Sequence, residues 1–147
     1  MMSSDNSPFM QQYQGYFRSI LKWEDLAQLW QRVRESAQPW NIYAPGEALP
    51  EGPSDPATLE QFLHELDQLL RHDHDYDYCG IVYADRLDAP TMIKVYDPNN
   101  LGSSCGSGSQ PPPLPGWVLS HHAPCELQSQ QILPGNRRRW WQRIFGG

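Results

Sequence analysis

The sequence predicts an α+β fold in which helices pack on a small antiparallel sheet. Two observations carry this prediction. Apolar residues recur at helical spacing in residues 56–70, and two runs between residues 78 and 97 are rich in β-branched and aromatic residues with turn residues between them. We therefore expect N-terminal helices and one capped amphipathic helix against a sheet of three to four strands.

The first 36 residues carry the N-terminal helical pattern. Aromatic and aliphatic side chains recur there at three- and four-residue steps, beginning with Phe9. This spacing predicts a helical hairpin or one broken helix, in which Gly15 weakens the first half and Pro39 ends the second. The run WNIYA that follows, residues 40–44, is short, aromatic and β-branched, which is typical of a strand.

The central helix has the clearest start signal in the chain. Asp55 suits the N-cap, because its carboxylate can accept a hydrogen bond from the first turn, and Pro56 suits the first helical position. A single apolar stripe follows, made of Leu59, Phe62, Leu63, Leu66, Leu69 and Leu70. The pattern predicts an amphipathic helix of about four turns.

A β-hairpin is predicted over residues 78–97. Its two strands are the runs YCGIVYA and TMIKVYD, and the segment DRLDAP between them holds turn-forming aspartates and a proline. Because YCGIVYA is apolar on both faces, we expect it in the interior of the sheet. The run WVLS, residues 117–120, is typical of a further strand after a long loop.

Length and composition favour one domain with an appended tail. We expect residues 1–135 to form a single α+β domain with a long Gly/Ser/Pro loop at 98–116, and residues 136–147 to form a basic, aromatic tail. No apolar run approaches the ~18 to 20 residues of a membrane span, and the N-terminus does not resemble a signal peptide. Three cysteines, an odd number in such a chain, fit reduced thiols, so the expected location is the cytoplasm.

The formal net charge of −6 is unevenly distributed. Residues 136–147 contain four arginines and no acidic residue, so residues 1–135 carry −10 against +4 in the tail. Nucleic-acid binding requires basic groups spread over a face, where they neutralise several phosphates. An acidic body with a short basic tail therefore argues against a nucleic-acid partner.

The loop YDPNNLGSSCGSGSQPPPLPGW, residues 96–117, combines glycines, one cysteine and a proline run. Its glycines suit an anion-binding loop, but no Lys-Ser or Lys-Thr pair follows them as in a phosphate loop. A phosphatase-like cysteine would also need an arginine shortly after Cys105, and none is present. The prolines of residues 111–115 favour polyproline II, which serves either as a ligand for a partner or as a stiff spacer.

Thiols and imidazoles suggest a second class of function. Cys105, Cys125, His121 and His122 supply the residue types of a Cys–His catalytic site or a zinc site, and zinc is the default metal for mixed Cys and His ligands. The spacing lacks a CxxC or HExxH motif. A further donor set comprises His72, Asp73, His74, Asp75, Asp77 and Cys79.

The tail carries the main interaction hypothesis. Its candidate partner-binding residues are Arg137, Arg138, Arg139, Trp140, Trp141, Arg143, Ile144 and Phe145. Arginines beside paired tryptophans suit a groove on a partner protein, but they suit equally well the acidic body of the same chain. The sequence therefore predicts an accessory or interaction protein without catalytic activity, binding a partner protein through the tail or the proline-rich loop. The alternative is a metal- or thiol-dependent protein.

Overall fold

Four helical segments pack on a five-stranded antiparallel sheet, which confirms the predicted α+β class. The computed structural model describes residues 7–74, 79–98, 114–127, 140–141 and 143–145. The helices are α1 Pro8–Tyr13, α2 Trp23–Glu35 and α3 Pro56–Asp73, and the described residues between 140 and 145 are also helical. The strands are β1 Arg18–Ile20, β2 Asn41–Tyr43, β3 Val82–Ala84, β4 Met92–Val95 and β5 Trp117–Ser120.

The strands lie in the order β1-β3-β4-β5-β2, and every neighbouring pair is antiparallel. The sheet has one strand more than the upper number predicted, and the additional strand is β1. The prediction of helix through residues 18–20 was wrong: Ser19 lies opposite Tyr83, and Ile20 is buried. Pairing with β3 outweighs a local helical pattern that is interrupted near Gly15, because tertiary contacts override weak helix propensity.

The two faces of the sheet carry separate cores. Side chains alternate along each strand, so Ile93 and Leu119 point to one face while Met92 and Val118 point to the other. The first face packs against α2, α3 and the C-terminal helical residues. The second face is covered by α1, whose Phe9 is fully buried, and by the chain at Leu127.

Capping residues fix the starts of α1 and α3. Ser7 accepts a hydrogen bond from the Met10 amide at 3.1 Å, and Asp55 accepts one from the Thr58 amide at 2.7 Å. Each cap is followed by proline at the first helical position. The start predicted for α3 is thus confirmed.

The base of the long loop is closed by contact between its two ends. The Gly116 amide donates to the Val95 carbonyl at 2.8 Å, and Gly116 packs directly against Asp97. At the other end of β4, the Asp85 carboxylate accepts hydrogen bonds from the amides of Thr91 and Met92, at 2.9 and 3.0 Å. These contacts hold the two ends of β4, and pairing with β3 and β5 places it in the interior of the sheet.

Candidate interaction surface

The described residues of the tail pack on α3 of the same chain. We call residues 140–141 and 143–145 the C-terminal segment. Phe62, fully buried on α3, lies at the centre of the contact. Its ring centroid is 5.9 Å from that of Trp140, 6.3 Å from that of Trp141 and 5.9 Å from that of Phe145. Aromatic pairs at these separations stabilise beyond the area that they bury.

The sheet and one ion pair complete the docking site. Trp140 also meets Trp117 of β5 edge to face, with ring centroids 5.5 Å apart, and Ile144 is only 8% exposed. The Arg143 guanidinium donates to the Glu65 carboxylate. Phe62 and Glu65 are three residues apart on α3, so they lie on the same side of that helix.

The ion pair is the weakest part of this surface. The Arg143 side chain is 62% exposed and that of Glu65 is 19% exposed. Pairs open to water on one side contribute little to stability, with a typical value of about 0 to 1 kcal/mol. The rings therefore supply most of the docking energy, and the ion pair sets the orientation of the segment.

Five of the predicted partner-binding residues are thus found on the body of their own chain. They are Trp140, Trp141, Arg143, Ile144 and Phe145. Arg137, Arg138 and Arg139 lie outside the described residues, as do prolines 111–113 of the proline-rich loop. Its last proline, Pro115, is buried, and the neighbouring Leu114 packs against the α1 core.

The predicted thiol and imidazole ligands have separate neighbours. The Cys125 sulfur lies 3.5 Å from the Ser7 hydroxyl, beside the α1 core. His121 instead stacks on Trp40, with ring centroids 3.9 Å apart, and its Nδ1 donates to the Pro39 carbonyl at 3.0 Å. His122 is exposed, and Cys105 lies outside the described residues. The Cys–His and zinc hypotheses remain predictions.

The second donor set is divided in the same way. His72 Nδ1 donates to the Asp73 carboxylate at 2.7 Å on the surface. His74 is buried and its Nε2 donates to the Cys79 carbonyl at 2.7 Å. Burial raises the pKa of the Cys79 thiol, which favours its uncharged form. Asp75 and Asp77 lie outside the described residues, and among the residues described no three His, Cys, Asp or Glu side chains group as metal ligands.

Lys94 is the chemically distinctive residue that the sequence analysis missed. It lies in the middle of β4, and its ammonium group is 4.0 Å from the ring centroids of both Tyr13 and Phe17. The available signal was a single cation within the otherwise apolar run TMIKV. A lysine at a strand position that faces a core is unusual unless its charge has partners.

Comparisons with known proteins identify no relative. Within the described parts of the chain, none of the helices combines the length and the apolar character needed to span a bilayer. The chain matches no family model, no curated protein and no solved structure.

Proposed function

We propose that the chain is a small cytosolic interaction protein that binds a partner protein through residues 136–147. One observation carries the proposal: the C-terminal segment uses its aromatic side chains and Arg143 to pack against its own α3. The segment therefore has the chemistry of a short amphipathic helix that binds in a groove. In this proposal it exchanges between its own α3 and the partner.

The contacts on α3 indicate what the partner should offer. The segment meets the ring of Phe62, the ring of Trp117 and the carboxylate of Glu65. A partner that replaces them needs an apolar, aromatic groove with a carboxylate at its rim. The arginines of residues 136–147 favour such an acidic rim, since opposite charges accelerate association and orient the bound segment.

The position of the segment at the edge of the core favours exchange, although undocking must also expose the buried Ile144. Trp140, Trp141 and Phe145 are only partly buried, and the ion pair is exposed on the arginine side. The strands pair directly with one another, and α2 contacts α3 directly. Undocking therefore exposes Phe62 and Trp117 while the sheet remains paired.

A charge exchange at one contact tests the proposal. Glu65→Arg repels Arg143 and should loosen the docked segment, so capture of the partner from cell lysate should rise several-fold. The double variant Glu65→Arg/Arg143→Glu restores attraction within the chain but reverses the charge offered to the partner, so capture should fall below the wild-type level. Glu51→Arg, which makes the same change of two charge units at an exposed position outside α3, is the matched control.

Cross-linking identifies the surface that the C-terminal segment contacts. A photoreactive phenylalanine analogue at position 145 should link to α3 in the free protein and to the captured protein in the complex. Residues 1–135 alone should lose capture. If the truncated chain captured the same protein in the same amount, or if capture were identical in the two charge variants, the tail would not be the binding element.

A further inference from the structure

Lys94 occupies an aromatic site on the α1 face of the sheet. Its Nζ lies 4.0 Å from the ring centroids of Tyr13 and of Phe17, and donates to the Tyr13 carbonyl at 2.7 Å. On the neighbouring strand, Tyr83 lies directly opposite Lys94 and meets Tyr96 edge to face at 5.6 Å. The amine therefore lies among rings, and its side chain is only partly exposed.

Although the protein is acidic, the Lys94 amine is not paired with a carboxylate of the described residues. Of the ion pairs between described residues, none includes Lys94. Tyr13 contacts the amine directly, and Tyr96 packs on Tyr83, the residue opposite Lys94. Burial raises the pKa of Tyr13 to about 12 and raises that of Tyr96, so both stay neutral at physiological pH. No negative charge from α1 or the strands compensates the ammonium.

Two effects on the Lys94 pKa oppose each other, and burial prevails. The two rings and the Tyr13 carbonyl favour the ammonium form. Removal of water disfavours it and lowers the pKa to about 8. At pH 7.5, roughly a quarter of such an amine is unprotonated, against about 0.1% of a lysine with an ordinary pKa. Desolvation in an apolar site is a recognised means of activating a lysine nucleophile.

We infer that Lys94 is a reactive amine that condenses with the carbonyl group of a small aldehyde or ketone. The Nζ lone pair forms a bond to the carbonyl carbon, and the oxygen leaves as water after proton transfer from solvent. Amine and carbonyl compound thus give an imine and water, without an oxidant or reductant. The rings of Tyr13, Phe17 and Tyr83 favour a carbonyl compound with an apolar or aromatic substituent.

The chain provides its own reference amine, because Lys22 and Lys94 are its two lysines. Lys22 is exposed at the start of α2. The full-length protein is incubated with benzaldehyde at pH 7.5, reduced with cyanoborohydride and digested, and the modified peptides are quantified by mass spectrometry. Lys94 should be alkylated about tenfold faster than Lys22, since its larger neutral fraction is only partly offset by lower nucleophilicity, as for thiols of lowered pKa.

Two further measurements test whether the rings around Lys94 form a binding site for the aldehyde or only change the reactivity of the amine. The labelling rate at Lys94 should reach half of its maximum near pH 8, and benzaldehyde should be preferred over glyoxylate at Lys94 but not at Lys22. Phe17→Leu, with the fold checked by circular dichroism, should reduce that preference. Equal or slower labelling of Lys94 than of Lys22, or the same aldehyde preference at both lysines, would overturn the inference.

Discussion

Phe62 and Trp141 meet edge to face, with ring centroids 6.3 Å apart and ring planes at 89°. Phe62 belongs to α3 and also to the core between the helices and the sheet, whereas Trp141 belongs to the C-terminal segment. One side chain therefore links the interior of the protein to the element proposed to bind a partner. Changes at Phe62 should affect both stability and docking.

Phe62→Ala should lower the free energy of unfolding by about 3 to 5 kcal/mol, because it removes a fully buried ring and leaves a cavity beneath the segment. Denaturant unfolding followed by tryptophan fluorescence measures the loss. Gln61→Ala, at the exposed neighbouring position, is the control and should change stability by less than about 0.5 kcal/mol. A loss at position 62 no larger than at position 61 would contradict the packing described.

Asp55→Ala should destabilise α3, because the Asp55 carboxylate caps the Thr58 amide. The same hydrogen bonds lower the pKa of Asp55 below its ordinary value of 3.8. The cap therefore contributes its full stability above pH 3.8. This contribution is lost as the pH falls through the pKa of Asp55 in the folded protein, which is lower than 3.8.

Thermal unfolding between pH 2.5 and 7 tests both statements. Asp55→Asn keeps an acceptor at the N-cap, so it should retain most of the stability at pH 7 while removing this part of the acid dependence. An unchanged acid dependence in Asp55→Asn would show that other carboxylates are responsible.

Because of Lys94, we expect the free energy of unfolding to increase with pH above neutrality. Its pKa of about 8 in the folded protein lies below the ordinary 10.5, so the unfolded chain binds more protons between these values. Stability therefore rises as the pH passes through 8, by the linkage of proton binding to unfolding. Above pH 10 the raised pKa of Tyr13 acts in the opposite direction.

Denaturant unfolding from pH 7 to 9.5 measures this dependence. Lys94→Met should remove it, because methionine fills a similar volume without a charge, whereas Lys22→Met should retain it. If both variants kept the wild-type slope, the amine would not be desolvated in the folded protein.

Gly116→Ala should destabilise the base of the long loop. A Cβ atom at Gly116 would lie 3.2 Å from the Asp97 Cβ and 3.4 Å from the Asp97 amide nitrogen, so Asp97 must shift by a few tenths of an ångström. We expect a loss of about 1 to 3 kcal/mol in denaturant unfolding, as for other overpacked sites. Gly52→Ala is the matched control, since nothing lies within 4 Å of its added Cβ and its effect should be near zero.

The elements with strong local signals were predicted correctly. Asp55 and Pro56 start α3 as expected, and the apolar stripe that begins at Leu59 faces the core. The hairpin is confirmed with strands shorter than the predicted runs, at Val82–Ala84 and Met92–Val95, and the WVLS strand is confirmed at Trp117–Ser120. Capping geometry, proline restriction and side-chain period are local properties, so residues close in sequence suffice to specify them.

Strand β1 was missed because its residues have no strong preference of their own. Arg18, Ser19 and Ile20 also fit a helical pattern, and only pairing with β3 makes them a strand. Lys94 was missed for a related reason: its ring partners lie on α1 and in the chain that follows it, about 80 residues earlier. No local pattern indicates such a contact.

The α+β class, the capped central helix, the hairpin and the uneven charge of body and tail can all be predicted from the sequence, because each depends on neighbouring residues or on composition. The tertiary structure was needed to locate the C-terminal segment, since Phe62, Trp117 and Trp140 come from three distant parts of the chain. It also shows that Lys94 lies against the rings of Tyr13 and Phe17. Among the described residues, no carboxylate forms an ion pair with Lys94. These are long-range contacts, formed because folding buries aromatic side chains that the sequence places far apart.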